Sequence, residues 1–224
     1  NVVIELNSPE VPIMDGSAAP FVFLIECAGV VEQDAARRVI RILKTVSVDG
    51  EYGQARLSLG SCLSLDVKID FEDSAVAKQS LSIGIVNGSF GKELARARTF
   101  GFLHQIEKLW AAGLAKGGSL DNAIVVSGDK ILNEGGLRYD DEFVRHKILD
   151  AVGDLSSDYA AALREGHNPS VVEPEDVIPV LRLGGQTDLA GLERECRRPE
   201  LGNPRAFPAG GEQPLTPFSP RLLG

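Results

Sequence analysis

The most regular hydrophobic pattern in the chain lies in "DDEFVRHKILDAVGDL", residues 140–155. At the helical angle of about 100° per residue, its apolar side chains fall on one stripe and most of its charged ones on the other side. Acidic residues in the first turn complement the helix dipole. The pattern therefore predicts a helix that buries one face. The apolar stripe consists of Val144, Ile148, Ala151, Val152 and Leu155.

The polar side of this helix carries His146, Asp150 and Asp154 at a four-residue spacing, with Lys147 beside them. Residues so spaced are neighbours on a helix surface. One interpretation is a solvated polar face, which periodicity alone favours. The other is metal ligation, because an imidazole and a carboxylate one turn apart can point at one ion. Two ligands do not make a zinc site, which takes at least three from the protein.

Alternating or β-branched runs elsewhere predict strands, and helical spacing predicts further helices. Hairpin connections indicate an antiparallel sheet. Strands joined by hairpins and followed by helices are typical of an α+β fold, and we expect a two-layer sandwich of antiparallel sheet and helices. The predicted strands are 1–6, 37–48, 54–59, 62–71, 79–86, 122–126 and 130–133, and the further helices are 18–29, 89–97 and 102–113.

Charge and cysteine content exclude several classes of protein. The net charge of −9 argues against a general nucleic-acid binder, which needs a basic surface. The sequence lacks an apolar run of about eighteen residues, so it predicts no transmembrane segment. Cys27, Cys62 and Cys196 are odd in number and far apart, which fits neither a disulfide framework nor a CxxC zinc site. We therefore expect a reducing compartment, the cytoplasm.

The composition changes near residue 155. Every lysine precedes that position, and all twelve prolines lie at 1–20 or beyond 168. The remaining chain is rich in Arg, Pro, Gly and Ala, and its prolines and glycines break helices and strands. We expect a divergent tail over 156–224, with a short helix at 158–166 and loop or disorder from 184 to the end.

Four strings in the regular part carry a resemblance to a known family. They are "PIMDGSAAPFV" (12–22), "RARTFGF" (96–102), "GLAKGGSLDNAIVV" (113–126) and "LNEGGLRYDDEFVRHKILDAVGDL" (132–155). In this order they resemble the UDP-3-O-acyl-N-acetylglucosamine deacetylases, zinc amidohydrolases of lipid A synthesis in Gram-negative bacteria. The resemblance covers residues 1–155.

The resemblance implies a fold of two similar α+β domains whose sheets face each other around helices and the active site. Residues 1–35 correspond to the last strand and helix of the first domain. Residues 36–155 correspond to most of the second. Within it, 98–127 resemble an inserted β-α-β unit that forms a passage for the acyl chain of the substrate.

The same resemblance implies a zinc site on the helix at 140–155. His146 and Asp150 match two of the three zinc ligands of the family. Zinc lowers the pKa of bound water so that hydroxide is available near neutral pH. In the family this hydroxide attacks the N-acetyl carbonyl of the acylated UDP-amino sugar, the implied substrate.

Four more residues match family positions. Thr99 matches a hydroxyl that stabilises the oxyanion, and Asp154 a carboxylate that orients a catalytic histidine. Phe100 matches a ring that lines the sugar and acyl site, and Lys147 a cation that contacts substrate. From the residues alone, ordinary roles stay open: Thr99 as a helix N-cap, Phe100 in the core, Lys147 on the surface and "GGS" at 117–119 as a turn.

The resemblance also implies groups that this sequence does not show. The family's third zinc ligand is a histidine beside a glutamate general base, upstream of the strand equivalent to 1–6. Its catalytic acid is a histidine downstream of 155, and Gly166-His167 matches only two residues of that motif. We therefore expect an incomplete deacetylase that is weakly active or inactive. The alternative is a non-catalytic paralogue that binds an acyl chain or a nucleotide sugar.

Overall fold

The computed structural model describes residues 2–34, 42, 44–50, 53–60, 62–71, 74–86, 88–164 and 179–185, without the side chains of 157–164 and 179–185. Within these residues the fold is mixed α+β with largely antiparallel sheets, as the sequence predicted. No described helix is both long and apolar enough to cross a bilayer.

The larger sheet has five strands in the order β1-β2-β8-β3-β4. Neighbours are antiparallel except β3 and β8, which run parallel. Alternation in β3 explains its burial, because Leu65, Val67 and Ile69 all face the core. The strands are β1 (Val46–Gly50), β2 (Gly53–Leu59), β3 (Ser64–Phe71), β4 (Ala77–Gly84) and β8 (Pro179–Gly185).

The smaller sheet contains β5 (Phe100–Phe102), β6 (Ile124–Ser127) and β7 (Lys130–Ile131). β5 and β6 are parallel and are joined through helix α2 (Leu103–Ala111), whereas β6 and β7 form a hairpin. A β-α-β unit thus occupies the segment for which the resemblance implies one.

Helix α3 (Glu142–Arg164) packs its apolar stripe against β3 and β4 of the larger sheet. Val144, Ile148 and Ala151 are fully buried there, which confirms the predicted stripe. The helix continues nine residues beyond the predicted end at 155. One core joins the two sheets and α3: Ala55, Leu57, Leu65, Val67, Ile69, Val76, Leu94, Phe100, Phe102, Ile124, Val126, Phe143, Val144, Ile148 and Ala151.

The N-terminal helix α1 (Ala19–Ala28) ends at Gly29, as predicted. It buries none of its residues within the described structure, and Phe23 and Leu24 are more than half exposed. The preceding turn is different, because Gly16 and Ser17 are buried against the body of the molecule.

Several predicted elements differ from the structure. Residues 2–6 are not a strand, because no described strand pairs with them. The strand expected at 37–48 begins at Val46, and 35–41 and 43 lie outside the described residues, as do the turn residues 51–52. The helix predicted at 89–97 is a single π-helical turn, Phe90–Leu94.

The tail expectation agrees with the structure at one place and needs correction at another. The helix expected at 158–166 is present as the end of α3, which continues through 156–164. Pro179–Gly185, however, form β8 in the interior of the larger sheet. Non-local pairing with β2 and β3 supplies the hydrogen bonds that favour this strand, which local composition could not reveal. The rest of 156–224 lies outside the described residues, and the three-part domain division stays a prediction.

Candidate active site

The imidazole of His146 is held at a fixed orientation on the inner side of α3. Its Nδ1 lies 3.0 Å from the carbonyl oxygen of Ala97, and the residue is only 8 % exposed. A carbonyl only accepts, so Nδ1 carries the hydrogen and Nε2 carries a lone pair in the neutral ring. The interpretation of a solvated polar face therefore does not describe this histidine.

The free ring nitrogen of His146, Nε2, lies close to Asp150. The distance from Nε2 to Oδ1 of Asp150 is 3.4 Å, one helical turn along α3. Two acceptor atoms facing each other are unfavourable unless a proton or a cation lies with them. Two ligands of a tetrahedral zinc ion, each bonded at about 2.0–2.2 Å, are themselves about 3.3–3.5 Å apart. This donor pair therefore fits zinc in both chemistry and spacing.

The pair is not a complete metal site within the part of the chain that the structure describes. No group of three or more histidine, cysteine, aspartate or glutamate side chains could hold an ion there. Structural and catalytic zinc sites take at least three protein ligands. The assignment of His146 and Asp150 as two metal donors stays a prediction, and a third donor is not among the described residues.

Lys147 lies beside the pair and extends over the smaller sheet. Its Nζ is 3.4 Å from Oδ2 of Asp150 and 5.3 Å from the centre of the Phe100 ring. An ammonium at that distance from an aromatic face gains a cation–π interaction. Asp150 and Phe100 therefore hold the Lys147 ammonium at the candidate site, whereas a freely solvated surface lysine would have no such contacts.

The Phe100 ring is fully buried. It packs edge-to-face on Phe143 at 4.9 Å and on Phe71 at 6.0 Å between ring centres. Such pairs stabilise a core beyond the area they bury. Phe100 thus has the core role that the sequence left open, and its contact with substrate stays a prediction.

Thr99 lies immediately before β5 and is partly exposed. Its backbone N–H donates to the carbonyl of Gly16 at 2.7 Å, and its own carbonyl accepts from Ile124 N–H at 2.8 Å. Helix α2 has Phe102 at its N-cap, so Thr99 does not cap that helix. The backbone of Thr99 is therefore fixed from both sides, whereas the role of its hydroxyl stays a prediction.

Two other predicted features are placed without a test of their function. Asp154 lies on α3 one turn beyond Asp150 and is partly exposed. Gly117 and Gly118 lie in a turn, where Gly118 N–H donates to the carbonyl of Ala115 at 3.0 Å. Both glycines of the "GGS" string thus belong to a turn over 115–118, and a role in the acyl passage stays a prediction.

Glu142 is a residue of the site that the sequence analysis missed. Its carboxylate is completely buried and accepts hydrogen bonds from both the backbone and the side chain of Arg98. It also accepts from the backbone N–H of Arg138. Desolvation raises the pKa of Glu142, but these hydrogen bonds outweigh it, so its pKa lies below the ordinary value. The glutamate is therefore an anion in the folded protein.

A second ion pair continues from this carboxylate to the N-terminal turn. The Arg138 guanidinium donates to Asp15 at 2.8 Å and to the carbonyl of Arg96 at 3.0 Å. Asp15 also accepts from the hydroxyl and N–H of Ser17. Burial raises the pKa of Asp15, and the bonds from Arg138 and Ser17 bring it below its ordinary value. The sequence contains one signal for Glu142, which is its position one helical turn before His146. This spacing indicates that the two residues lie on the same side of the helix, but not that Glu142 is buried.

Comparison with known protein families shows which family the sequence matches. The family model for UDP-3-O-acyl N-acetylglycosamine deacetylase matches residues 1–165. The chain therefore belongs to the UDP-3-O-acyl N-acetylglycosamine deacetylase family.

Among curated relatives, the protein named UDP-3-O-acyl-N-acetylglucosamine deacetylase from Saccharophagus degradans is 55 % identical over 157 residues, covering 69 % of this chain and 52 % of its own length. Proteins of the same name from Chromohalobacter salexigens and Myxococcus xanthus are each 53 % identical. They cover 69 % and 70 % of this chain, and 52 % and 50 % of their own lengths. The chain spans about half the length of the curated relatives it matches.

Proposed function

We propose that this chain is part of a zinc-dependent amide hydrolase that removes the N-acetyl group of UDP-3-O-acyl-N-acetylglucosamine, a step of lipid A biosynthesis. The observation that carries the proposal is the 3.4 Å approach of His146 Nε2 and Asp150 Oδ1. Membership of the deacetylase family supplies the substrate class. The scattered cysteines support a reducing compartment, and we place the reaction in the cytoplasm.

His146 and Asp150 are the residues that would hold zinc. The bond from Nδ1 to the Ala97 carbonyl leaves Nε2 free to bind a metal, and Asp150 adds negative charge. A bound zinc ion supplies Lewis-acid activation of water and of the amide carbonyl.

The neighbouring side chains bind substrate and stabilise charge. The Thr99 hydroxyl donates a hydrogen bond to the amide oxygen as that atom gains negative charge. Lys147 provides a cation beside the sugar. The part of the core that contains the buried Phe100 ring borders the acyl chain. Asp154 orients an imidazole that protonates the departing amine.

We further propose that this chain alone is weakly active or inactive. The described residues provide two protein donors, and a catalytic zinc site takes three. Zinc affinity and turnover by this chain are therefore below those of a complete site.

Zinc binding is the first test. The purified chain is titrated with zinc in competition with a chromophoric chelator, alongside His146→Ala and Asp150→Ala. His104→Ala is the matched control, because His104 is an exposed histidine on α2. We expect both site variants to lose zinc affinity by at least about tenfold and the control to keep it. Equal affinity in all four proteins would remove the metal site from the proposal.

Turnover is the second test. Release of acetate from UDP-3-O-acyl-N-acetylglucosamine is measured with zinc present, comparing the chain with His146→Ala and Thr99→Val. Slow release that both variants abolish supports a hydrolase. Substrate binding without release, unchanged in Thr99→Val, favours the non-catalytic paralogue instead.

A further inference from the structure

One peptide group connects the first two turns of α3 to the segment before β5. The carbonyl of Ala97 accepts the Nδ1–H of His146 at 3.0 Å. The N–H of the same peptide group, which belongs to Arg98, donates to Oε1 of Glu142 at 3.0 Å. Glu142 and His146 are one helical turn apart, so the helix contacts both ends of this one peptide dipole.

The carboxylate at the far end of this connection is held firmly. Glu142 is fully buried, and Arg98 donates Nε to Oε1 at 2.9 Å and Nη2 to Oε2 at 3.1 Å. Arg98 also donates Nη2 to the carbonyl of Gly136 at 2.8 Å. A bidentate arginine–carboxylate pair of this kind fixes orientation as well as charge. The negative charge facing the Arg98 N–H therefore has a defined position.

Hydrogen bonds in series polarise one another. A carboxylate that accepts from a peptide N–H increases the negative charge on the carbonyl oxygen of that peptide group. That oxygen becomes a stronger acceptor for the Nδ1–H of His146. A stronger acceptor at Nδ1 fixes the tautomer and makes Nε2 a better electron-pair donor to a metal, as carboxylates do when they bind a metal-ligating histidine directly.

We infer that Glu142 is a positioning residue for His146, which acts through the peptide group between Ala97 and Arg98 to orient the imidazole and strengthen Nε2 as a metal donor. The inference rests on the proposed function for its metal, but the effect on the imidazole exists in the metal-free chain. A purely structural ion pair between Glu142 and Arg98 would stabilise the fold without changing the histidine.

Two variants separate these roles. Glu142→Gln removes the charge and keeps the shape. The double variant Arg98→Met with Glu142→Met replaces both buried charges with apolar groups, an exchange that is often neutral for stability. Asp141→Asn is the matched control, because Asp141 is a neighbouring carboxylate that pairs with Arg145 instead.

The first measurement is the tautomer of His146 in the metal-free, ¹⁵N-labelled full chain, read from long-range ¹H–¹⁵N spectra. We expect the Nδ1–H form in the wild-type chain and in Asp141→Asn. The two test variants are expected to show a mixture of tautomers. The second measurement is zinc affinity by chelator competition, where we expect a loss of about tenfold in the test variants and less than twofold in the control.

Circular dichroism first identifies which of the two test variants is folded. The tautomer and zinc affinity of a folded variant then test the role of Glu142. A folded variant with the wild-type tautomer and wild-type zinc affinity overturns the inference, as does an equal loss in Asp141→Asn. If His146→Ala leaves zinc binding of the wild-type chain unchanged, the proposed metal site fails. In that case the tautomer comparison still decides the role of Glu142.

Discussion

Glu142 in the first turn of α3 and Asp150 in the third are carboxylates on the same helix, and both lie near the candidate site. Glu142 is 0 % exposed and is surrounded by N–H donors from Arg98 and Arg138. The Asp150 side chain is 36 % exposed, and it faces the acceptor nitrogen of His146 on one side and the Lys147 ammonium on the other.

The comparison indicates different roles for the two carboxylates: Glu142 stabilises the fold, and Asp150 is accessible for binding a metal ion. A buried carboxylate is tolerated only when donors replace the water it loses, and Glu142 has such donors. Asp150 is partly exposed to water, and its carboxylate lies next to the acceptor nitrogen of His146. A cation bound by both acceptor atoms would therefore stabilise this contact. Removal of the Glu142 charge should therefore lower stability strongly, whereas removal of the Asp150 charge should lower metal affinity and leave stability nearly unchanged.

The largest expected effect is on stability at the first turn. Glu142→Ala leaves the Arg98 guanidinium buried without its partner and should lower the free energy of unfolding by about 3–5 kcal/mol. Guanidinium denaturation at pH 7, followed by circular dichroism, measures it. Asp70→Asn breaks a partly exposed pair with Lys78 and should change stability by about 1 kcal/mol or less. Similar losses in both variants would contradict the distinction drawn here.

The turn that supports Thr99 should show the next largest effect. Gly16 has φ of +79°, and a Cβ there would lie 2.0 Å from the carbonyl oxygen of Asn122. Gly16→Ala should lower the free energy of unfolding by about 1–3 kcal/mol or more, from backbone strain plus this clash. Gly29→Ala is the control, because φ is +87° there but nothing lies within 4 Å. If Gly16→Ala lowers the free energy of unfolding no more than Gly29→Ala does, the turn can shift away from the Asn122 carbonyl without a large cost in stability.

Acid should destabilise the fold through the carboxylates of Glu142 and Asp15. The pKa values of Glu142 and Asp15 are lower in the folded protein than in the unfolded chain. Their contribution to stability is therefore complete above the unfolded pKa, near pH 4, and is lost as the pH falls through the folded pKa. Unfolding free energies measured from pH 7 to pH 3 should fall, and less steeply in Glu142→Gln. Parallel curves would argue that the ion pair is not coupled to folding.

Local periodicity was sufficient to predict α3, because its stripe of Val144, Ile148 and Ala151 repeats at helical spacing. The same spacing placed His146 next to Asp150. It did not reveal that Glu142 is buried, since an acid in a first turn is already explained by the helix dipole. The partner, Arg98, is 44 residues away, and no local pattern indicates that contact.

The strands show the same contrast: those with a local sequence pattern were predicted, and one that depends on distant pairing was missed. The alternation in β3 predicted its buried face, and that face is observed. Strand β8 was missed because it contains Pro179 and two glycines and depends on pairing with β2 and β3. Conversely, the β-branched run at 2–6 resembles a strand but has no paired neighbour among the described residues.

The smallest expected change in stability is at the third turn, in Asp150→Asn. The asparagine amide can donate to the lone pair of His146 Nε2, so a hydrogen bond replaces the contact of two acceptors. That gain offsets the lost interaction with Lys147, which as a partly exposed pair is worth about 1 kcal/mol or less. We expect the free energy of unfolding to stay within about 0.5 kcal/mol of wild type while zinc affinity falls by at least about tenfold. Denaturation and chelator competition on the same preparation measure both. A stability loss like that of Glu142→Ala, with zinc affinity unchanged, would make Asp150 a second structural anion.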